Sequence, residues 1–410
     1  MKLAILSDMH IGYERFAEDA YNQAEAAVKA AMSVADMLLI PGDVFDKRAP
    51  KPDVIAQGIN IFREASRHKW PAKVVEFNAE DGTKPHTEVP IIAIPGTHER
   101  TAEGRENVLS LLALAGLIVD ASEATVIVAK HDRPEDKVAV FGLGGVSEDR
   151  VKECLERLKP KPVSGAFNVF MFHQSTYELL PFDDELIRYV DLPKGFDLYV
   201  DGHIHNKVEA TVHGKPFLIP GSTVLTQLKD GEQEKKGFFL FDTKDSSYEF
   251  IHIDSRTFVC KEMKFDSAKP GEVLKLCDDE IGSIIASAGN GHKPIIRIKL
   301  VGSLGEGVTS ADVPIRVLTG KYSSLAYLEI DSSRLVSPDV VKGMEEVREG
   351  RLGDVPVKEL GMRMFASRLR ENKFEIGVDG TKLFEALSGD KSKEKAMKEA
   401  QELLDGAEEK

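Results

Sequence analysis

Over its first 255 residues or so, the chain alternates short apolar runs with longer amphipathic stretches. Leu3-Ala4-Ile5-Leu6, Met37-Leu38-Leu39-Ile40, Ile91-Ile92-Ala93-Ile94, Val169-Phe170-Met171-Phe172 and Leu198-Tyr199-Val200 are continuous apolar runs of strand length. Such runs mark strands buried on both faces. Between them, 3.6-residue spacing predicts helices near Ala17 to Val34, Val54 to Arg67 and Val151 to Leu158. The stretch Val108 to Leu114 is apolar on nearly all sides, which predicts a helix buried in its own core or across a subunit interface. Gly237 to Phe241 followed by Tyr248 to Ile253 reads as a hairpin closing the same domain. The expected architecture is α/β: a two-sheet sandwich flanked by helices over residues 1–255.

From Arg256 the pattern changes. Phe258-Val259-Cys260 opens a strand, Val273, Cys277, Ile281, Ile284 and Ile285 recur at helical spacing, and Ile296, Ile298 and Leu300 alternate as a half-buried strand. Leu325, Tyr327 and Glu329 begin another strand, and Gly302 to Gly307 reads as a turn. A small α+β capping domain over residues 256–330 is expected. In residues 331–410, Ser332 to Pro356 has the charge, Gly and Pro of a linker. Helical stripes follow through Leu360, Met364, Phe365 and Leu369, through Leu383, Phe384 and Leu387, and through Ala396, Met397, Ala400, Leu403 and Leu404, ending at Gly406.

A length of 410 residues fits two or three domains, and 42% hydrophobic with 30% charged residues is the balance of a globular protein. The first apolar run stops at Ser7-Asp8, too short for a signal peptide, and Leu109 to Val119 is interrupted by Ser110 and Gly116. Cys154, Cys260 and Cys277 have no metal-like pairing. These features lead to the expectation of a cytoplasmic protein, nucleoid-associated in a prokaryote, without a membrane segment. The net charge of −14 argues against constitutive coating of nucleic acid. It does not exclude a nuclease whose carboxylates are offset by bound divalent ions.

Candidate chemistry sits at the strand ends. The five apolar runs are followed by Asp8-Met9-His10, Gly42-Asp43, Gly96-Thr97-His98-Glu99, His173 and Gly202-His203-Ile204-His205. Carboxyl ends of strands gather along one rim in an α/β fold, so these distant segments can converge. Asp8 and His10, like His203 and His205, are two apart and share a side of an extended strand end. Imidazole with carboxylate suits manganese, iron or zinc. Asp43 is placed between two ions, and His98, beside a ligand position, is a candidate acid for a leaving oxygen. His68, His86, His131, His213, His252 and His292 lie outside such clusters and read as ordinary surface or core histidines.

The order Asp-x-His, Gly-Asp, Gly-x-His, His, Gly-His-x-His resembles that of the calcineurin-like metallophosphoesterase superfamily. More narrowly, Ser7-Asp8-Met9-His10-Ile11-Gly12, Pro41-Gly42-Asp43-Val44-Phe45-Asp46, Asp201-Gly202-His203-Ile204-His205 and Pro220-Gly221-Ser222 resemble the SbcD and Mre-type double-strand-break repair nucleases. The resemblance implies that Asp8, His10, Asp43 and His205 hold one ion and Asp43, His173 and His203 the other, with His98 catalytic. It implies two manganese ions, with other divalent ions as alternatives. It also implies exonuclease action from 3′ ends, endonuclease action on single strands and hairpins, and a homodimer built from the region of Val108 to Leu114. The implied partner is an SMC-like coiled-coil ABC ATPase docked on the C-terminal helices. One position departs: the family's usual Asn before the catalytic histidine is Thr97 here, a weaker ligand on a shorter arm.

Lys47, Arg48 and Lys51 follow the Asp43 loop, and Arg100 and Arg105 follow His98, so these are candidate contacts to DNA phosphates. Gly142 to Gly145 reads as a strand-ending turn, not a nucleotide site. A phosphatase or small phosphodiester hydrolase on the same core, and a DNA-end-binding scaffold with weakened catalysis, are the competing readings.

Overall fold

The computed structural model describes residues 1–79, 82, 84–101, 106–181, 183–288, 292–337, 361–362, 365, 380–388 and 393–408. The chain divides into two compact units, Met1–Cys260 with Asn290–Ile295, and Lys261–Gly289 with Ile296–Lys410.

In the first unit the strands are β1 (Lys2–Ile5), β2 (Met37–Pro41), β3 (Ala72–Ala79), β4 (Ile91–Ile94), β5 (Val119–Asp120), β6 (Ala124–Lys130), β7 (Lys137–Leu143), β8 (Phe167–Phe172), β9 (Leu198–Asp201), β10 (Val208–Val212), β11 (Lys215–Ile219), β12 (Gly237–Asp242) and β13 (Ser247–His252). They form one sheet in the order β13-β12-β1-β2-β4-β5 and a second in the order β10-β11-β9-β8-β7-β6-β3. β1, β2, β4 and β5 run parallel, and so do β7, β8, β9 and β11. The expected hairpin is β12–β13, which closes the first sheet by pairing β12 antiparallel to β1.

Alternation along the strands explains the layers. Leu3, Ile5, Leu39, Ile92 and Ile94 face Val140, Val169, Met171 and Val200 in a core between the sheets. The opposite faces of the same strands, Ala4, Leu6, Leu38 and Ile40, pack on Ala24, Ala27 and Val28 of α1 (Ala17–Val34) and on Ile61 and Phe62 of α2 (Pro52–Ser66). Pro52 sits in the first turn of α2, where its missing N–H costs nothing, so this helix starts two residues before the expected Val54. α3 (Val108–Leu114) buries Val108, Leu109 and Leu112, while Leu111 and Leu114 are 46% and 52% exposed. α4 (Val151–Leu158) lays Val151 and Cys154 on Phe170, Phe172 and Tyr199. This is the two-sheet α/β sandwich expected from the sequence.

The second unit contains a three-stranded sheet of β14 (Phe258–Ala268), β15 (Ile295–Leu304) and β16 (Tyr327–Val336), with α5 (Pro270–Ser287) and α6 (Arg316–Tyr322). α5 buries Val273, Cys277, Ile281 and Ile284, the stripe read from the sequence. Three local expectations change. Gly302 lies inside β15 with φ +117°, where a Cβ would fall 1.9 Å from the Phe265 carbonyl, so it serves a close strand approach rather than a turn. Leu325 lies in the turn before β16, so that strand begins at Tyr327, two residues later than expected. Ser332 to Val336 belong to β16 and not to a linker, and the boundary expected at residue 330 falls within that strand.

At the C-terminus, α7 (Gly380–Ser388) and α8 (Lys393–Glu408) match the second and third stripes, and α8 continues past Gly406 by two residues. Leu360, Met364 and Leu369 lie outside the described residues, as does the expected linker beyond residue 337. No helix among the described residues is long and apolar enough to cross a membrane.

Candidate metal centre

Sharp turns follow the rim strands, and four candidate ligands carry them. Asp8, His10, Asp43 and His203 have φ of 50°, 46°, 49° and 69°, a left-handed conformation costly for non-glycine residues and concentrated at functional sites. Backbone hydrogen bonds from Asp8 N to Gly42 O (3.2 Å) and from His10 N to Asp43 O (3.0 Å) zip the first two loops together. Gly42 (φ +92°) is needed because a Cβ there would lie 2.3 Å from His173 Nδ1.

The side chains gather into three groups among the described residues, one of which, His10 with Asp46 and His98, shares His10 with the first of the two described next. Asp8, His10 and His205 form one, with donor atoms within 4.8 Å of one another; Asp43, His173 and His203 form the other. In the first, His10 Nε2 and His205 Nε2 lie 3.0 Å apart and 3.9 Å and 3.7 Å from Asp8 Oδ1. Two imidazole nitrogens approach that closely only with a proton or a cation between them. Asp8 Oδ2 is buried with no hydrogen-bond partner. In the second, His173 Nδ1 donates to the Pro41 carbonyl (2.7 Å), which turns Nε2 toward Asp43 Oδ2 at 3.2 Å. The Thr97 hydroxyl joins this group, 3.2 Å from His173 Nε2, 3.2 Å from His203 Nδ1 and 3.4 Å from Asp43 Oδ2. Orphaned acceptors and convergent nitrogens are what a divalent-cation site requires.

Asp43, expected between two ions, stands with His173 and His203, and its Oδ1 accepts the His98 N–H at 2.8 Å. Its charge still reaches the first group, helping to raise both Asp8 and His10. Burial pushes Asp8 up to about 6. Burial disfavours ionised Asp43, but the His173 charge and hydrogen bond outweigh it and hold the carboxyl well below the usual range. Burial likewise opposes the His173 imidazolium, yet Asp43 drives it up to about 10. Burial and a neighbouring imidazole push His203 down to about 4 and His205 to about 2, leaving both neutral and ready to ligate.

His98 lies at the edge. Its ring packs edge-on to His10 at 4.8 Å, its Nδ1 donates to the Asp46 carbonyl at 2.6 Å, and its side chain is 42% exposed. Lys47 is exposed and ion-paired with Glu14 at 2.5 Å; Arg48 and Lys51 are exposed. Arg100 lines a cleft with Arg150 and Arg157. Arg105 lies outside the described residues. His213 and His252 bond to backbone carbonyls, away from either group.

Several supporting residues have no role assigned from the sequence. Asp46 Oδ1 faces His10 Nδ1 at 3.4 Å. Buried Glu99 accepts from Phe45 N and Gly96 N, each at 2.9 Å, tying two rim loops together, and burial pushes it up to about 7. Asp201 accepts from Gln174 N (3.0 Å) and Gly202 N (2.9 Å), joining the loops that carry His173 and His203. Asp46, Glu99 and Asp201 stand within the quoted rim segments, and adjacency to a ligand was the only signal available.

Residues 1–207 match the calcineurin-like phosphoesterase family model. Similar curated proteins include the double-strand break repair protein of Coprinopsis cinerea, 26% identical over 328 residues that cover 68% of this chain and 45% of that protein. The Mre11 protein of Methanopyrus kandleri is 27% identical over 62% of this chain and 57% of its own length. That of Sulfolobus acidocaldarius is 23% identical over 84% of this chain and 85% of its own. The chain spans about half the length of the first curated relatives it matches. With a family model covering half of its residues and two Asp/His groups on the shared strand rim, the chain belongs to the calcineurin-like phosphoesterase family.

Proposed function

We propose that the chain is a manganese-dependent nuclease that processes DNA double-strand-break ends. The observation carrying this is the pair of Asp/His groups at one rim; DNA as substrate rests on the names of the relatives. Asp8, His10 and His205 would hold one ion, Asp43, His173 and His203 with Thr97 the other, and Asp43 would serve both electrostatically. When bound, the ions offset charge developing on phosphorus and lower the pKa of water. The chain's own part is positional. The loop hydrogen bonds fix the ligands, and His98, its Nδ1 committed to the Asp46 carbonyl, leaves Nε2 as the ring atom that would pass a proton to the leaving oxygen.

Lys47, Arg48, Lys51 and Arg100 would steer the phosphate backbone toward the rim. Residues 1–255 would be the nuclease domain, the segment from residue 256 through the end of β16 a capping domain, and the helices beyond it a partner-binding region. Exposed Leu111 and Leu114 on α3 support a homodimer face, and exposed Leu387 and Met397 on α7 and α8 support docking on the coiled coil of an SMC-like ATPase. The setting would be cytoplasmic, on the nucleoid in a prokaryote.

The test uses hairpin, plasmid and 3′-end-labelled duplex DNA with manganese, beside a chromogenic phosphodiester. Cleavage from 3′ ends and at hairpins is expected. Hydrolysis of the small diester alone would overturn the DNA reading, and no hydrolysis of either would leave an end-binding scaffold.

A further inference from the structure

The segment Lys229-Asp230-Gly231-Glu232-Gln233-Glu234-Lys235-Lys236 has the composition of a solvated turn. Two of its charges nevertheless point inward: Glu232 is 3% exposed and Lys236 is 6% exposed. Lysine and glutamate are buried this deeply only when paired. Their partners lead to one residue. Lys236 Nζ donates to Glu232 Oε1 (3.3 Å), Ser222 Oγ (3.0 Å) and the carbonyl of His205 (3.3 Å), which uses all three ammonium protons. Glu232 Oε1 accepts from the Thr226 N–H (3.0 Å) and hydroxyl (3.1 Å), and its other oxygen accepts a further backbone N–H. Tyr13 anchors the same loop by donating its hydroxyl to the Thr226 carbonyl at 2.7 Å.

The Thr226 oxygen lies 2.5 Å from His205 Nδ1. A hydroxyl has one proton, and here it goes to Glu232, so Thr226 can only accept from His205. That places a hydrogen on Nδ1 and leaves the Nε2 lone pair directed at Asp8 and His10. Lys236 holds the backbone of the same histidine. We propose that Thr226, Glu232 and Lys236 are positioning residues that fix the tautomer and ring orientation of His205, and thereby set the affinity of the ion held by Asp8, His10 and His205. The inference rests on the metal-centre reading above. A pair that merely stapled the loop would have no reason to end on both the ring and the carbonyl of a ligand.

The test is calorimetric titration of the full chain with manganese, together with nitrogen-15 NMR of the His205 ring in metal-free protein. Thr226→Val keeps the shape and removes the hydroxyl. It is expected to weaken one of two ions about ten- to a hundredfold, the usual effect of removing a ligand's outer partner, while the other ion is unchanged. The Nδ1–H tautomer of the wild type should give way to a mixture in this variant. Thr226→Ser should restore both properties. Unchanged affinities and tautomer in Thr226→Val overturn the inference. Equal weakening of both ions with a lowered melting temperature also overturns it, because the role is then structural. A wild-type chain that takes up no manganese overturns the metal centre itself.

Discussion

Replacing Thr97 with Asn alters one donor of the Asp43, His173 and His203 group while leaving the rim loops intact. The hydroxyl sits 3.2, 3.2 and 3.4 Å from the nearest donor atoms of those residues. Ligands about 2.1 Å from a common ion are separated by about 3.0–3.4 Å, depending on coordination geometry. Thr97 therefore already stands where a ligand would stand, and reach is not its weakness. What differs is donor strength, since an alcohol oxygen is a poorer donor than an amide carbonyl. The gain from Asn should thus lie at the low end of the range for tuning groups, about tenfold in affinity or about 1.4 kcal/mol. A manganese titration of chromogenic phosphodiester hydrolysis should show half-activation about tenfold lower in Thr97→Asn. The maximal rate should change less, because His98 is retained. Thr97→Val should shift half-activation the other way. Superimposable curves for all three proteins would refute the assignment of Thr97 to the shell.

Three further outcomes follow from the same geometry. Below pH 10 an incoming ion must displace the proton that Asp43 holds on His173; the second ion's apparent affinity should rise about tenfold per pH unit toward 10 and level off above it, with one proton released per ion in calorimetry across buffers. An affinity independent of pH above 7 would show that Asp43 does not hold a proton on His173 in the metal-free protein. His98→Ala should lower the rate about a hundredfold or more and leave manganese affinity unchanged; loss of affinity in step with rate would make His98 a ligand. Glu99→Ala strands the buried N–H groups of Phe45 and Gly96 and should cost about 3 kcal/mol in urea unfolding, whereas a loss under about 1 kcal/mol would mean that the loops hold without it.

The rim was legible because its logic is local: a buried strand announces itself as an apolar run, and the residue after it is the one that reaches the rim. Hence Asp8, Asp43, Thr97, His173 and His203 could be named before any fold was known. α1 was readable end to end from its 3.6-residue spacing, and the face it buries includes Ala20, Ala24, Ala27 and Ala31. The second sheet was less so. β3, β6 and β7 are partly exposed or antiparallel strands whose partners are set by pairing rather than by composition. Gly302 read as a turn because a glycine needed for close strand approach looks the same in sequence as one needed for a bend. The Glu232–Lys236 pair was hidden for a different reason. In a run of eight mostly charged residues, nothing local distinguishes the two that face inward from the six that do not, and only the tertiary position of His205 makes that choice. The placing of Asp43 with His173 and His203 likewise depends on distances that spacing cannot supply.

The proposed function requires that the rim hold two ions in two defined sets of ligands. Anomalous difference density from crystals grown with manganese tests it most directly. Two peaks are expected, one among Asp8, His10 and His205 and one among Asp43, His173, His203 and Thr97. A single peak, or peaks away from these side chains, would contradict it.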